Sequence, residues 1–178
     1  MTPDSASGFT GVVGAVSTEL TIDPAAELDS IKVNGETLES TNYEFADGIL
    51  TFKAEYTNAL TAGSYVFTVA DSNEKTAEFA LTVADPEAPT IDPTTFSVAQ
   101  GAAVDNLEIG VTFNNEGETL ASLKNGSSEV NAENYTFEDG TLTLKVAYVN
   151  TLTAGEKTFK VTGDKGGTAN FVVTVTGE

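Results

Sequence analysis

Two tyrosines occupy matching places in the chain and carry side chains suited to sugar recognition. Tyr43 and Tyr135 each precede an aromatic residue and then an Asp-Gly pair. A tyrosine ring can stack on the apolar face of a pyranose while its hydroxyl binds a polar group at the rim. Repeated in two copies, such rings would form a bivalent site of low affinity per copy. The sequence therefore makes Tyr43 and Tyr135 the candidate ligand-binding residues, with packing in the core as the alternative.

Carboxylates are the other groups that could bind a ligand or catalyse a reaction. We consider calcium binding and glycosidase chemistry. Calcium takes about six to eight oxygen ligands, but the acid clusters at 71–74 and 116–118 lack EF-hand spacing. We therefore expect a solvated acidic surface and no metal site. Paired glycosidase carboxylates need a cleft with the two acids about 5 to 10 Å apart, whereas Asp47 and Asp139 are better explained as turn residues before glycine. We expect no catalytic residues and no enzyme activity.

Composition excludes several further classes of function. The chain carries 8 Lys plus Arg against 27 Asp plus Glu, a net charge of −19, so phosphate backbones and anionic lipids would be repelled. We expect no nucleic-acid partner and no membrane insertion. The absence of His and Cys removes Ser-His-Asp triads, imidazole and thiolate metal sites, and disulfides. We expect no cofactor, and the high charge favours a monomer.

An internal repeat determines the domain organisation that we predict. The segment 56–63 returns almost unchanged as 148–155, an offset of 92 residues (148 − 56). Solenoid repeats are shorter, at about 20 to 50 residues, so each copy should bury its own core. We predict two homologous modules at residues 1–85 and 90–178. Two prolines and two acids make residues 86–89 a short, extended, Pro-containing linker.

Within each module the hydrophobic pattern has the period of a β-strand. β-Branched and aromatic residues alternate with polar ones, which predicts about seven short strands per module. Turn signals separate them, namely Asn34-Gly35, Asp47-Gly48, Asn125-Gly126, Asp139-Gly140 and residues 163–167. Asp-Gly pairs are the sharpest of these signals, because a tight hairpin turn needs positive φ. The fold class that we predict is all-β, with two tandem immunoglobulin-like β-sandwiches.

The repeated Tyr-x-x-x-Leu-x-x-Gly segment interrupts this alternation. One helical turn would bring the Tyr and the Leu onto one face, and the Gly at 63 or 155 would supply a left-handed exit. We predict that the segment closes one end of each sandwich. Leu60 and Leu152 should be buried, and Tyr56 and Tyr148 partly so.

These residues together resemble the X2 module family, immunoglobulin-like domains of cellulosomal scaffoldins and multimodular glycoside hydrolases. The segments of module 2 that carry the resemblance are Ile91-Asp92-Pro93-Thr94-Thr95-Phe96, Leu123-Lys124-Asn125-Gly126, Leu142-Thr143-Leu144-Lys145 and Phe171-Val172-Val173-Thr174-Val175. In module 1 the resemblance runs from about Ile31 to Val83, and the part before Leu28 matches poorly. Asn34-Gly35 sits one residue out of register with Asn125-Gly126.

The resemblance implies a non-catalytic module of an extracellular or cell-surface bacterial protein that degrades or handles polysaccharide. Its partners would be the flanking modules of the parent protein, and polysaccharide or cell wall. Three functions remain open on the sequence. The first is a structural spacer, the second is a weak carbohydrate- or cell-wall-binding module that uses Tyr43 and Tyr135, and the third is an adhesin-like stalk that binds a protein partner through a free strand edge.

Overall fold

The computed structural model describes residues 6–20 and 26–177, which separate into two compact units. Module 1 is Met1–Asp85 and module 2 is Pro86–Glu178. Each unit contains two β-sheets and one short α-helix in its described part, and each has its own hydrophobic core. The prediction of two tandem immunoglobulin-like β-sandwiches is confirmed.

Module 1 contains eight described strands. They are β1 (Ala6–Phe9), β2 (Val16–Glu19), β3 (Leu28–Val33), β4 (Glu36–Thr37), β5 (Tyr43–Ala46), β6 (Ile49–Phe52), β7 (Gly63–Asp71) and β8 (Thr76–Ala84). One sheet has the order β1-β8-β7-β3-β4 and the other has the order β2-β6-β5. A 3₁₀ turn (Ser40–Asn42) precedes β5, and helix α1 (Ala54–Thr57) follows β6.

Module 2 repeats this plan and has one strand more than the described part of module 1. Its strands are β9 (Thr90–Asp92), β10 (Thr95–Ala99), β11 (Leu107–Thr112), β12 (Leu120–Asn125), β13 (Ser128–Glu129), β14 (Tyr135–Glu138), β15 (Thr141–Leu144), β16 (Gly155–Gly163) and β17 (Thr168–Thr176). The sheets have the orders β10-β17-β16-β12-β13 and β14-β15-β11-β9. A 3₁₀ turn (Ala132–Asn134) and helix α2 (Val146–Val149) correspond to those of module 1.

Apolar and polar residues alternate along the strands, and this alternation determines which side chains lie in the cores. Along β8, every second residue from Ala77 to Val83 is buried and the intervening ones are exposed, so the strand presents one apolar face to the facing sheet. Phe52, Phe67 and Phe79 form the aromatic centre of module 1, with ring centroids 4.3 to 5.8 Å apart. In module 2, Phe159 and Phe171 stack at 5.0 Å.

The Asp-Gly hairpins form as predicted, but one predicted turn is displaced by a residue. Asp47 and Asp139 have φ of 51° and 47° between paired strands. Asn125 lies in β12, paired with Ser128, so the turn residues are Gly126 and Ser127. The prediction of an Asn125-Gly126 turn is therefore wrong by one position, because Gly126 (φ 59°) supplies the first turn residue itself. The offset from Asn34-Gly35 is thereby confirmed: Asn34-Gly35 forms the turn between β3 and β4, and Asn34 corresponds to Gly126, not to Asn125.

The predicted helical turn is present in both modules, although its details differ from the prediction. Leu152 is buried, with 6% of its surface exposed, whereas Leu60 is only half-buried. Both leucines follow the helix rather than lie in it. The glycine does not supply the helix exit either: the caps are Asn58 and Asn150 in right-handed conformation, and each glycine is the first residue of the next strand.

Candidate functional site

Tyr43 and Tyr135 begin the edge strands β5 and β14, directly after the 3₁₀ turns. Each is paired with a core residue of the neighbouring strand, Tyr43 with Phe52 and Tyr135 with Leu144. The strands alternate, so the tyrosine and the phenylalanine two residues later share the inner face. Both tyrosines are half-buried and pack against the cores of their modules. The remaining part of each side chain is exposed to solvent.

The tyrosines at the helical turns, Tyr56 and Tyr148, also pack against core side chains. Tyr56 meets Phe67 edge-on, with centroids 6.4 Å apart, and Tyr148 meets Phe159 in the same way at 6.4 Å. Such contacts add to the stability that burial alone provides. Burial raises the pKa of the Tyr56 hydroxyl, and the neighbouring Tyr65 adds to the effect.

A polar side chain at the start of β7 and of β16 forms a hydrogen bond within its own module. The Tyr65 hydroxyl donates to the Thr61 carbonyl oxygen at 2.9 Å. At the equivalent place in module 2, Lys157 Nζ donates to Thr153 Oγ1 at 3.0 Å. In both modules this side chain therefore fixes the loop that follows the helix.

The first acid cluster forms a turn. Asp71 is buried, with 3% of its surface exposed, and its Oδ1 accepts hydrogen bonds from the backbone N–H groups of Asn73 at 2.9 Å and Lys75 at 3.0 Å. The carboxylate thereby replaces backbone acceptors in the connection between β7 and β8. These hydrogen bonds offset part of the cost of burying the carboxylate.

The second cluster fastens the start of module 2, where the predicted linker lies. The side-chain amide of buried Asn115 accepts from the Glu87 N–H and donates to the Glu87 carbonyl, each at 3.0 Å. Its Nδ2 also donates to Glu118 Oε2 at 2.6 Å, and Asn114 Nδ2 donates to the Ala88 carbonyl at 2.6 Å. A Cβ on Gly167 would stand 2.3 Å from the Glu87 carbonyl oxygen. This set of contacts, called the Asn115 clasp below, fastens the segment that the sequence predicts as a short, extended, Pro-containing linker.

The arrangement offers little else that could do chemistry. Across residues 6–20 and 26–177, no three His, Cys, Asp or Glu side chains come together in a way that could hold a metal ion. An open surface depression of about 260 Å³ lies beside β10 and includes Val98 and Val104 in its lining. That is below the roughly 300 to 1,000 Å³ of ligand pockets. In the described part of the chain, no helix is long and apolar enough to cross a membrane.

Two family models match the chain, one for each module. Residues 91–173 match the family described as carbohydrate binding domain X2. Residues 14–84 match the Hb-interacting domain of the heme-binding protein Shr-like family. The X2 resemblance read from the sequence is confirmed in module 2, whereas module 1 matches a different family. No curated protein sequence matches the chain significantly.

Solved structures with the same architecture include tandem immunoglobulin domains. The I9-I11 tandem of titin aligns with a TM-score of 0.55 and 15% identity, covering 99% of this chain and 64% of the titin chain. A tri-modular GH5 endo-β-1,4-glucanase from Bacillus licheniformis, complexed with cellotetraose, aligns with a TM-score of 0.48 and 18% identity, covering 98% of this chain. This chain spans only 38% of the glucanase chain. The titin alignment shows the fold alone.

Proposed function

Because residues 91–173 carry an X2 domain and both modules are immunoglobulin-like sandwiches, we propose that the chain is a non-catalytic structural spacer. It would separate and support the flanking modules of an extracellular or cell-surface bacterial protein that handles polysaccharide. The X2 match is the observation that carries this proposal, because it covers nearly all of module 2 and associates it with carbohydrate.

The tyrosine side chains support spacing over binding. A sugar platform needs an exposed ring face, whereas Tyr43 and Tyr135 direct their rings to the cores. The Tyr56 and Tyr148 rings pack edge-on against core phenylalanines, and the Tyr65 hydroxyl is bonded to its own loop. The chain contains no Trp, which would be the strongest stacking residue. Weak glycan or cell-wall binding through Tyr43 and Tyr135 is the alternative that this packing disfavours.

Affinity electrophoresis separates these two functions. The chain would be run through gels that contain cellulose derivatives, xyloglucan, xylan, starch or peptidoglycan fragments, beside a Tyr43→Ala/Tyr135→Ala double variant. If the chain is a spacer, its migration relative to a reference protein should be the same in every gel. Retardation by one glycan that disappears in the double variant would replace the spacer function with glycan binding. A Phe45→Leu/Phe137→Leu variant controls for loss of packing, because it alters the same strands without touching the tyrosines.

A protein-binding function of module 1 is the second candidate, and the match of residues 14–84 favours it. Hemoglobin is the partner that the family description offers for a first test. Among residues 6–20 and 26–85, module 1 exposes three large apolar side chains that a partner would cover, Val12 at 43%, Ile49 at 44% and Val66 at 40%. They lie at separate places on the module, so each is a separate probe.

Biolayer interferometry with immobilised hemoglobin tests this candidate on the full chain. Specific binding that Ile49→Ser or Val66→Ser weakens, and that Val104→Ser in module 2 leaves unchanged, would support it. Val104 is a matched control, because it is also exposed, at 87%. No binding, or binding that Val104→Ser weakens equally, would refute a hemoglobin site in module 1.

A further inference from the structure

The first and last strands of the sheet run side by side and in the same direction in each module. In module 2, β10 pairs with β17 in parallel, from Thr95 opposite Val172 to Ala99 opposite Thr176. In module 1, β1 pairs with β8 in parallel, from Ala6 opposite Leu81 to Phe9 opposite Ala84. The chain therefore enters each sheet on one strand and leaves it on the neighbouring parallel strand.

Further hydrogen bonds extend the pairing at its ends. In module 2, the Val172 N–H donates to the Thr94 carbonyl at 2.8 Å, and the Gln100 N–H donates to the Thr176 carbonyl at 2.9 Å. In module 1, the Thr10 N–H donates to the Ala84 carbonyl at 2.9 Å. The Thr10 hydroxyl also donates to Asp85 Oδ1 at 3.1 Å.

This geometry determines how tension along the chain reaches the sheet. A pull on the ends of the chain draws β10 toward its N-terminal end and β17 toward its C-terminal end. The two strands run in parallel, so they would have to slide past each other, and every hydrogen bond between them carries the load at once. Antiparallel terminal strands would instead separate from one end, one bond at a time. Resistance to forced unfolding depends on the unfolding rate under load, which shearing of a whole ladder slows.

We infer that the modules are load-bearing, with β1–β8 and β10–β17 as the elements that resist tension. The inference rests on the proposed spacer function and adds that the spacer transmits mechanical force. A secreted protein that connects a cell or a catalytic unit to an insoluble polymer would place its spacer under such tension.

Module 2 has a second fastening upstream of its load-bearing pair. Tension arriving from the N-terminal side meets the Asn115 clasp at Glu87 first, and then β9, which is paired with β11 from Thr90 to Asp92. The β10–β17 ladder also has five partner positions, against four in the described part of β1–β8. We therefore expect module 2 to unfold at the higher force.

Single-molecule force spectroscopy on the full chain tests the inference. Pulling between the N- and C-termini shears both ladders. The chain has no cysteine, so Thr168→Cys provides a unique handle at the exposed start of β17. Pulling between the N-terminus and position 168 peels β10 from its Thr95 end and still shears module 1, which serves as an internal reference. Asn170→Cys, also exposed and on the same strand, repeats the test if the first variant folds poorly.

The outcomes are distinct. Each module should release roughly 300 Å of chain, at about 3.3 to 3.6 Å per residue. We expect two unfolding events in end-to-end pulling. In the peeling geometry the event from module 2 should move to a lower force while the event from module 1 is unchanged. Equal forces in the two geometries would overturn the load-bearing inference and leave the spacer function standing. Glycan retardation in gels would refute the spacer function without altering the forces.

Discussion

Phe171→Ala should destabilise module 2 selectively. Phe171 is fully buried, stacks on Phe159 at 5.0 Å and meets Phe96 edge-on at 6.1 Å. Removing a buried phenylalanine costs about 3–5 kcal/mol, because both transfer free energy and packing are lost. A module of this size has a free energy of unfolding of about 5–14 kcal/mol. The substitution should therefore lower the melting temperature of module 2 by roughly 12–40 °C.

Differential scanning calorimetry with hydrogen exchange read by mass spectrometry measures this effect. In Phe171→Ala, peptides of β10 to β17 should lose protection at a lower temperature, while peptides of β1 to β8 keep theirs. Phe79→Ala is the matched control, because Phe79 occupies the corresponding place in the core of module 1 and is 3% exposed. It should give the reverse pattern. Equal destabilisation of both modules by either variant would refute the assignment of two separate cores.

Three smaller perturbations test particular contacts. In Gly110→Ala the new Cβ would stand 2.9 Å from the Asp92 carbonyl oxygen, so β9 must shift and urea denaturation should show a loss of about 1–3 kcal/mol. Asn115→Ala removes both hydrogen bonds to Glu87, so the Glu87 amide should exchange faster and module 2 should lose about 1–3 kcal/mol. The pKa of Tyr56 is raised above 10.0 mainly by burial, so its contribution to stability is complete below pH 10 and is lost as the pH rises through the folded-state pKa. The phenolate absorbance that is lost in a Tyr56→Phe variant should develop above pH 10, and urea midpoints should fall over the same pH range.

The strands and hairpins could be predicted because local rules determine them. Alternation identifies which side chains of β8 face the core, and Asp-Gly at 47–48 and 139–140 can adopt the positive φ that a two-residue hairpin needs. Both signals are contained within a few consecutive residues. Alternation and turn signals were sufficient to predict the fold class, and the recurrence of residues 56–63 at 148–155 was sufficient to predict two modules.

Features that depend on distant parts of the chain were not visible in the sequence. The turn after β12 begins at Gly126 because Asn125 pairs with Phe159 of β16, as Val33 pairs with Phe67 in module 1, and these partners are distant in the sequence. Leu60 and Leu152 occupy matching places in the sequence but differ in burial, and burial is a property of the folded surroundings that a local sequence match does not contain. The Asn115 clasp joins residues 28 apart in the chain, and proline-rich composition at 86–89 does not reveal it.

The candidate ligand residues illustrate the same limit. The sequence identifies Tyr43 and Tyr135 as equivalent, and the structure places them on equivalent edge strands. A tyrosine that packs in the core and a tyrosine that binds a ligand can occur in the same alternating sequence pattern. How much of the ring is covered depends on the facing sheet, which the local sequence does not show. Their role as ligand-binding residues stays a prediction.

An NMR titration of the full chain with soluble cello-, xylo- and peptidoglycan oligosaccharides tests the spacer function most directly. Amide resonances of Tyr43, Tyr135 and their neighbours report on the candidate sites individually. If the chain is a spacer, we expect no saturable shift at either residue with any oligosaccharide. Saturable shifts centred on Tyr43 or Tyr135 would contradict it and identify the chain as a glycan-binding tandem.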